Sequence, residues 1–271
     1  MLPPIVSTSW LTENLNHPNL IILDCSPLSN VSGLQTDVQN LQISGARYFN
    51  LKDNFSDPNS PFPNTLPSPK AFEDECKKLG INNESTLVIY DNLGIYTSPR
   101  VWWMFKTMGH ENVTVLNGGL PEWIKQEGAT EEKTNKPFPS GSFKANFNAN
   151  ALQDINAISK NITNQESLVI DARSKGRFNG TAPEPRDRLR SGNIKNSINI
   201  PFQNVLHNGK FKTKEELKLI FSSIDAPTKP LTFTCGSGLT ACIVLLAATL
   251  INDNPKAVYD GSWTEWATVR G

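Results

Sequence analysis

The residues best equipped for chemistry lie in the run Cys235-Gly-Ser-Gly-Leu-Thr-Ala241. The thiolate of a cysteine is the nucleophile, and it is favoured where loop N–H groups and a helix N-terminus face the sulfur. The flanks predict that arrangement. Leu231–Thr234 is short, apolar and β-branched, as a buried strand is, and the Leu/Ala-rich run that follows, through Ile251, is too long for a strand and predicts a buried helix. Gly236 and Gly238 are placed to let the loop curl around whatever sits on the sulfur. A buried structural cysteine ahead of a core helix is the competing interpretation, but such a cysteine has no need of Gly-Ser-Gly. A phosphatase loop, Cys-x5-Arg, is excluded because Ala241 occupies the arginine position. The helix also falls short of a membrane span, with about 13 apolar residues against the roughly 20 required.

Other reactive groups are sparse. The remaining thiols, Cys25, Cys76 and Cys242, form no Cys-x2-Cys pair, so no metal site is expected and free thiols in a reducing compartment are. Cys25 and Cys76 are expected in the core, and Cys242 is expected buried about two helical turns beyond Cys235. The three histidines are His17, His110 and His207. None stands where it would serve Cys235, and His110, just after the helix-ending Gly109, is expected to be structural. The 271 residues carry 26 basic and 26 acidic side chains. That balance argues against nucleic acid or an anionic membrane as the main partner. The first ten residues lack a basic stretch and an apolar core, so no targeting peptide is expected and a cytoplasmic location is.

The elements that must position these residues occur twice. Leu20–Asp24 and Thr86–Asp91 are expected as buried strands, Ala46–Asn50 as strand-like, and Val113–Asn117 as the last strand of the first half. Helices are expected near Ser9–Asn14 (Ser9 as N-cap), over Pro69–Gly80, over Pro99–Gly109 and over Leu120–Gln126. Asn54–Pro69, rich in Pro, Ser and Asn, is a long surface loop. The pattern then restarts: Asp24 recurs as Asp171, 147 positions on; Asp91 as Cys235, 144 on; Trp123 as Trp266, 143 on. Landmarks recurring in order at nearly constant offset define a tandem duplication of one α/β domain, with strands alternating with helices and therefore a mostly parallel sheet flanked by helices. The boundaries are 1–135 for the first domain, 136–150 for a linker that lays its aromatics across the surface, and 151–271 for the second. Because Asp91 stands in the cysteine position, only the second copy can supply a nucleophile.

Taken together, Ser98-Pro-Arg-Val-Trp-Trp-Met-Phe105 with Gly109-His110, Asp171-Ala-Arg-Ser-Lys-Gly-Arg-Phe178, Glu184-Pro-Arg-Asp187, Cys235–Ala241 and Gly261-Ser-Trp-Thr-Glu-Trp266 resemble the tandem-domain sulfurtransferases, the rhodanese and 3-mercaptopyruvate sulfurtransferase family. The resemblance covers nearly the whole chain. It implies two rhodanese-like domains, the first non-catalytic. It implies a ping-pong sulfur transfer in which Cys235 becomes a persulfide cradled by Gly236, Ser237, Gly238, Leu239 and Thr240, with no metal or organic cofactor. Thiosulfate-type members place basic residues directly after the cysteine. The neutral Gly236-Ser237 pair is similar to the mercaptopyruvate type, which leaves the substrate carboxylate to arginines from elsewhere. Arg177, Arg186 and Arg100 match those anchors, the alternative for each being a structural ion pair. The implied partners are a small-molecule sulfur donor and a thiol acceptor such as thioredoxin, with cyanide as a further acceptor.

One departure stands out. Mercaptopyruvate-type members place a Ser-His-Asp relay beside the cysteine. Ser237 and Asp53 match two of its members, and Asn64 occupies the histidine position. Asparagine cannot shuttle a proton near neutral pH, so the proton comes from water or another group, the relay is dispensable, or the donor differs. Two other functions therefore stay open: a thiosulfate sulfurtransferase, and a persulfide carrier with little small-molecule activity.

Overall fold

The computed structural model describes residues 2–134, 136–222 and 229–270. The proposed domain limits at 1, 135 and 271 lie outside them. The chain divides into two compact units: one of residues 1–58, 66–148 and 208–211, the other of 59–65, 149–207 and 212–271.

In the first unit β1 (Ile5–Val6), α1 (Thr8–Asn14), β2 (Leu20–Asp24), β3 (Leu41–Ile43), β4 (Arg47–Tyr48), α2 (Pro69–Lys78), β5 (Thr86–Tyr90), α3 (Ser98–Thr107), β6 (Val113–Leu116), α4 (Gly119–Lys125) and β7 (Thr130–Glu132) follow in order. The main sheet runs β4-β2-β5-β6-β1, and every pairing in it is parallel. β5 lies at its centre, in register with β2 from Leu20↔Thr86 to Asp24↔Tyr90. Its near-continuous apolar run reflects burial on both faces.

The second unit contains β8 (Leu152–Gln153), α5 (Ile155–Asn164), β9 (Leu168–Asp171), α6 (Lys175–Asn179), β10 (Ile198–Asn199), β11 (Leu206–His207), α7 (Lys214–Phe221), β13 (Leu231–Thr234), α8 (Ala241–Thr249), β14 (Lys256–Tyr259) and α9 (Ser262–Val269). A further strand, β12 (Lys210–Phe211), belongs to the first unit. The sheet order is β10-β9-β13-β14-β8, again parallel throughout. Strand for strand this repeats the first sheet, so the duplication read from three landmarks extends to the whole topology.

Three details depart from the sequence expectation. The first helix is capped by Ser7, whose hydroxyl accepts from Trp10 N, and not by Ser9. Three successive residues, Ser7-Thr8-Ser9, are all good caps, and the choice falls where a side chain reaches the third N–H beyond it. The edge strands β1 and β8 were not foreseen. Each has two residues, too few to show a period, and forms by pairing with β6 or β14. Residues 136–148 do not trail as a surface linker. They run along the first unit, with Gly141 N, Phe143 N, Asn146 N and Asn148 N donating to Lys77, Ile81, Met108 and Thr107 carbonyls. Phe143 is fully buried, edge-on to Phe72 and Phe105.

Candidate active site

In each sheet the chain leaves adjacent strands in opposite directions: from β2 toward β4 and from β5 toward β6 in the first, from β9 toward β10 and from β13 toward β14 in the second. This reversal opens a crevice at the carboxyl ends of the strands, where open α/β sheets hold their ligands. Asp91 directly follows β5 and Cys235 directly follows β13. The sequence thus puts its nucleophile where the topology puts a site.

The loop from Cys235 to Thr240 ends at the N-cap of α8, whose residues Ala241–Ala248 are all buried. Cys235 itself is buried. The two glycines serve different ends. Gly238 takes φ +73°, as expected of a residue chosen for conformational freedom. Gly236 has no such angle and instead leaves room for side chains: a Cβ there would lie 2.9 Å from Arg177 Nη2 and 3.5 Å from Arg186 Nη1. Two guanidinium groups therefore stand against the first residue of the loop.

The loop is clamped from the start of α9. Ser262 Oγ accepts from Gly238 N at 2.9 Å and Cys235 N at 3.3 Å, and donates to Tyr259 O at 2.8 Å. Cys235 O accepts from Trp263 N, and Gly236 O accepts from Thr264 N and Thr264 Oγ1. Ser262 is fully buried at φ +52°. The N–H of Gly238 is accordingly committed to Ser262 and is not part of a cradle on the sulfur, which corrects that part of the expectation. Ser262 was missed, although the repeat carries the signal: its partner 143 positions earlier is Gly119, also at φ +52°. A side chain retained where the other copy dispenses with one marks a task for its hydroxyl.

The first copy shows what such a loop holds. The Asp91 carboxylate accepts from Leu93 N, Tyr96 N, Thr97 N, Ser98 N and Ser98 Oγ at 2.6–3.0 Å. An anion stands in the cysteine position, ringed by backbone donors at the N-terminus of α3, and the satisfied carboxylate is no nucleophile.

The predicted anchors separate. Arg177, in α6, donates Nε and Nη2 to Glu184 Oε2 at 3.0 and 2.5 Å. Its Nη1 has no protein partner among the described residues and remains available to a ligand. Glu184 is buried, and its other oxygen takes Arg173 Nη1 at 2.6 Å. Arg173 is fully buried, bonded also to Asp171 and to Gly192 O, with its guanidinium 4.2 Å from the Trp263 ring centroid. Glu184 and Arg173 thus form the frame that aims Arg177. The sequence motifs contained both residues without revealing that role, because only contact assigns it. Arg100 belongs to the first unit, in α3, fully buried with its guanidinium over Trp103.

Of the relay positions, Asn64 and Ser237 meet: Asn64 Nδ2 donates to Ser237 Oγ at 3.0 Å and reaches Ser237 O at 3.5 Å. The segment 59–65, expected as part of a surface loop, groups with the second unit. Asp53 belongs to the first unit, exposed, its carboxylate accepting from Asn50 Nδ2. His17 and His207 are exposed, and His110 is buried against Phe105 and Phe143. Cys242 donates its thiol to Gly238 O at 3.3 Å. Cys25 and Cys76 are core thiols, and burial pushes both well above the ordinary thiol value.

A lone nucleophilic cysteine in a tight loop, at the carboxyl end of a parallel sheet and ahead of a buried helix, is the build of an enzyme that carries a group covalently on sulfur. The rhodanese-like domain family matches residues 7–126 and 154–268, one match in each half. The chain belongs to this family, and relatives similar to it over nearly their whole length are sulfur-group transferases. It is 39% identical to thiosulfate sulfurtransferase of Rattus norvegicus, over 97% of this chain and 91% of that one. It is 37% identical to 3-mercaptopyruvate sulfurtransferase of Escherichia coli K12, over 96% and 94%. The crystal structure of the E. coli 3-mercaptopyruvate sulfotransferase SseA superposes with a TM-score of 0.85 at 33% identity, covering 97% of this chain and 99% of that chain.

Proposed function

We propose that the enzyme transfers sulfane sulfur from 3-mercaptopyruvate to a thiol acceptor through a Cys235 persulfide, releasing pyruvate. The observation that carries this is the neutral Cys235-Gly236-Ser237 loop with Arg177 and Arg186 set against Gly236. Overall identity does not choose the donor, since relatives named for thiosulfate and for 3-mercaptopyruvate match almost equally. The loop does. A small dianion such as thiosulfate favours cations on the residues next to the sulfur. A carboxylate a few bonds from the transferred sulfur favours guanidinium groups at a distance, with Arg177 Nη1 free to form one arm of a fork. Arg177 and Arg186 bind the carboxylate and the carbonyl oxygen, and Gly236, Ser237, Leu239 and Thr240 receive the outer sulfur. The boundaries are those of a non-catalytic domain over 1–135, a connection over 136–150 and a catalytic domain over 151–271. Thioredoxin, or another reduced dithiol of the cytoplasm, collects the sulfur.

In the reaction the Cys235 thiolate attacks the donor sulfur. The carbon–sulfur bond breaks, its electron pair leaves as the enolate of pyruvate, and the persulfide remains on the protein. The enolate takes a proton to become pyruvate. The acceptor thiolate then attacks the outer sulfur and restores Cys235. The test is steady-state turnover with each donor and a dithiol acceptor, in wild type and Cys235→Ser. Pyruvate release lost in Cys235→Ser, with thiosulfate at least about tenfold poorer in kcat/KM, is the expected outcome. A thiosulfate preference would reverse the donor assignment. Persulfide loaded by a protein donor, with neither small molecule turned over, would make the chain a carrier.

A further inference from the structure

We infer that Asn64 is a positioning residue that fixes the hydrogen-bond polarity of Ser237, making its hydroxyl a one-way donor toward the leaving enolate. The inference rests on the mercaptopyruvate reading above. Asn64 sits at φ +62°, a left-handed conformation that asparagine tolerates better than most residues. Its Nδ2 lies 3.0 Å from Ser237 Oγ and 3.5 Å from Ser237 O. A carbonyl oxygen only accepts, so Ser237 O assigns the NH2 end of the amide to this side. Ser237 Oγ therefore accepts from Asn64, and its own hydrogen must point elsewhere. Among the described residues no protein acceptor takes that hydrogen, although Ser237 is buried. Buried hydroxyls normally find a partner. Here the partner is the substrate, beside the cysteine two residues back.

A hydroxyl oriented in this way stabilises negative charge that develops as the carbon–sulfur bond breaks. The final proton on carbon then comes from solvent, and no relay through a titrating side chain is required. This is how an asparagine can stand in a position suited to a histidine: it orients the serine but does not exchange protons. The charged and titratable groups that the described residues place around the loop include Cys235, Arg177 and Arg186, with Glu184 and Arg173 behind Arg177.

The two donors separate this role from a structural one. With 3-mercaptopyruvate the leaving group is an enolate that needs hydrogen-bond donation. With thiosulfate it is sulfite, which leaves as a stable dianion. The ratio of their kcat/KM values cancels everything common to both, including Cys235 ionisation. Asn64→Asp keeps the shape and tolerates the same backbone angle, but its carboxylate accepts from Ser237 and withdraws the hydroxyl hydrogen. The ratio of 3-mercaptopyruvate to thiosulfate activity is expected to fall by about tenfold or more in Asn64→Asp, while thiosulfate still loads the persulfide and shows the variant folded. In wild type the ratio should stay flat from pH 5.5 to 7.5, and Asn64→His should give it a new titration near the ordinary histidine value. Equal loss of both donors in Asn64→Asp, or a histidine-like titration of the ratio already in wild type, would overturn the inference. Absence of 3-mercaptopyruvate turnover by wild type would instead remove the reading beneath it.

Discussion

At the scale of single residues, two positions take the left-handed backbone conformation for the sake of a side chain at the nucleophile's loop. Asn64 at φ +62° and Ser262 at φ +52° both present a polar atom to the run Cys235–Gly238. Strain of this kind persists where surrounding contacts over-determine it, and it concentrates at functional sites. For Ser262 the contributions oppose one another. Removing its hydroxyl leaves the N–H groups of Cys235 and Gly238 without their acceptor, at about 1–3 kcal/mol for each buried group left unpaired. Replacing it by alanine keeps the backbone penalty of about 1 kcal/mol, and replacing it by glycine relieves that penalty. Both variants are therefore expected to be less stable than wild type in urea denaturation, with Ser262→Gly the milder. Equal midpoints for the two variants would show that the angle carries no strain. The sequence contained this information only through the repeat, where a serine faces Gly119. Without the pairing of copies it looked like one more residue of a Gly-Ser-Trp motif.

At the scale of elements, one strand–loop–helix unit is used in two ways. After β13 it holds a cysteine, and after β5 it holds a carboxylate that fills the ring of donors from within. The first unit thus replaces a reactive group and its bound anion by a permanent anion of its own, and what was a site becomes a joint between β5 and α3. Asp91→Ala would leave four backbone N–H groups and one hydroxyl facing an empty space. A loss of about 3–5 kcal/mol is expected, since several hydrogen bonds to one charge disappear together. Asp91→Asn keeps one acceptor oxygen and should lose distinctly less. Chemical unfolding of the two variants checks this, and a near-neutral Asp91→Ala would show that the donors find water without cost. These elements were legible because buried parallel strands carry continuous apolar runs and helices end in Gly80 and Gly109, both at positive φ. The strap over residues 136–148 was not. Its composition is that of a linker, and what holds it in place is contact: backbone hydrogen bonds to Lys77, Ile81, Met108 and Thr107, and Phe143 packed against Phe72 and Phe105.

At the scale of the whole molecule, acid sensitivity enters through a buried histidine remote from the chemistry. His110 lies against Phe105 and Phe143, and burial holds its pKa below the ordinary 6.5. Above pH 6.5 both folded and unfolded chains carry it neutral, so its contribution is constant. As pH falls below 6.5 the unfolded chain takes up a proton that the folded chain resists, and stability drops until the lower folded value is passed. Thermal unfolding of wild type between pH 7.5 and 5 should show this loss, and His110→Phe should lack that component. Parallel curves for the two proteins would exclude His110 as its source. The sequence by itself determined the duplication, the alternation of strand and helix, and the asymmetry of a nucleophile in one copy against an acid in the other. Each of these resides in the type and spacing of residues along the chain. The tertiary structure alone decided that Glu184 and Arg173 frame Arg177, that Ser262 ties down the loop, and that Asn64 donates to Ser237 across 173 positions. The direction of a hydrogen bond depends on which atoms the fold brings within 3 Å, and residue identities only set which atoms could serve.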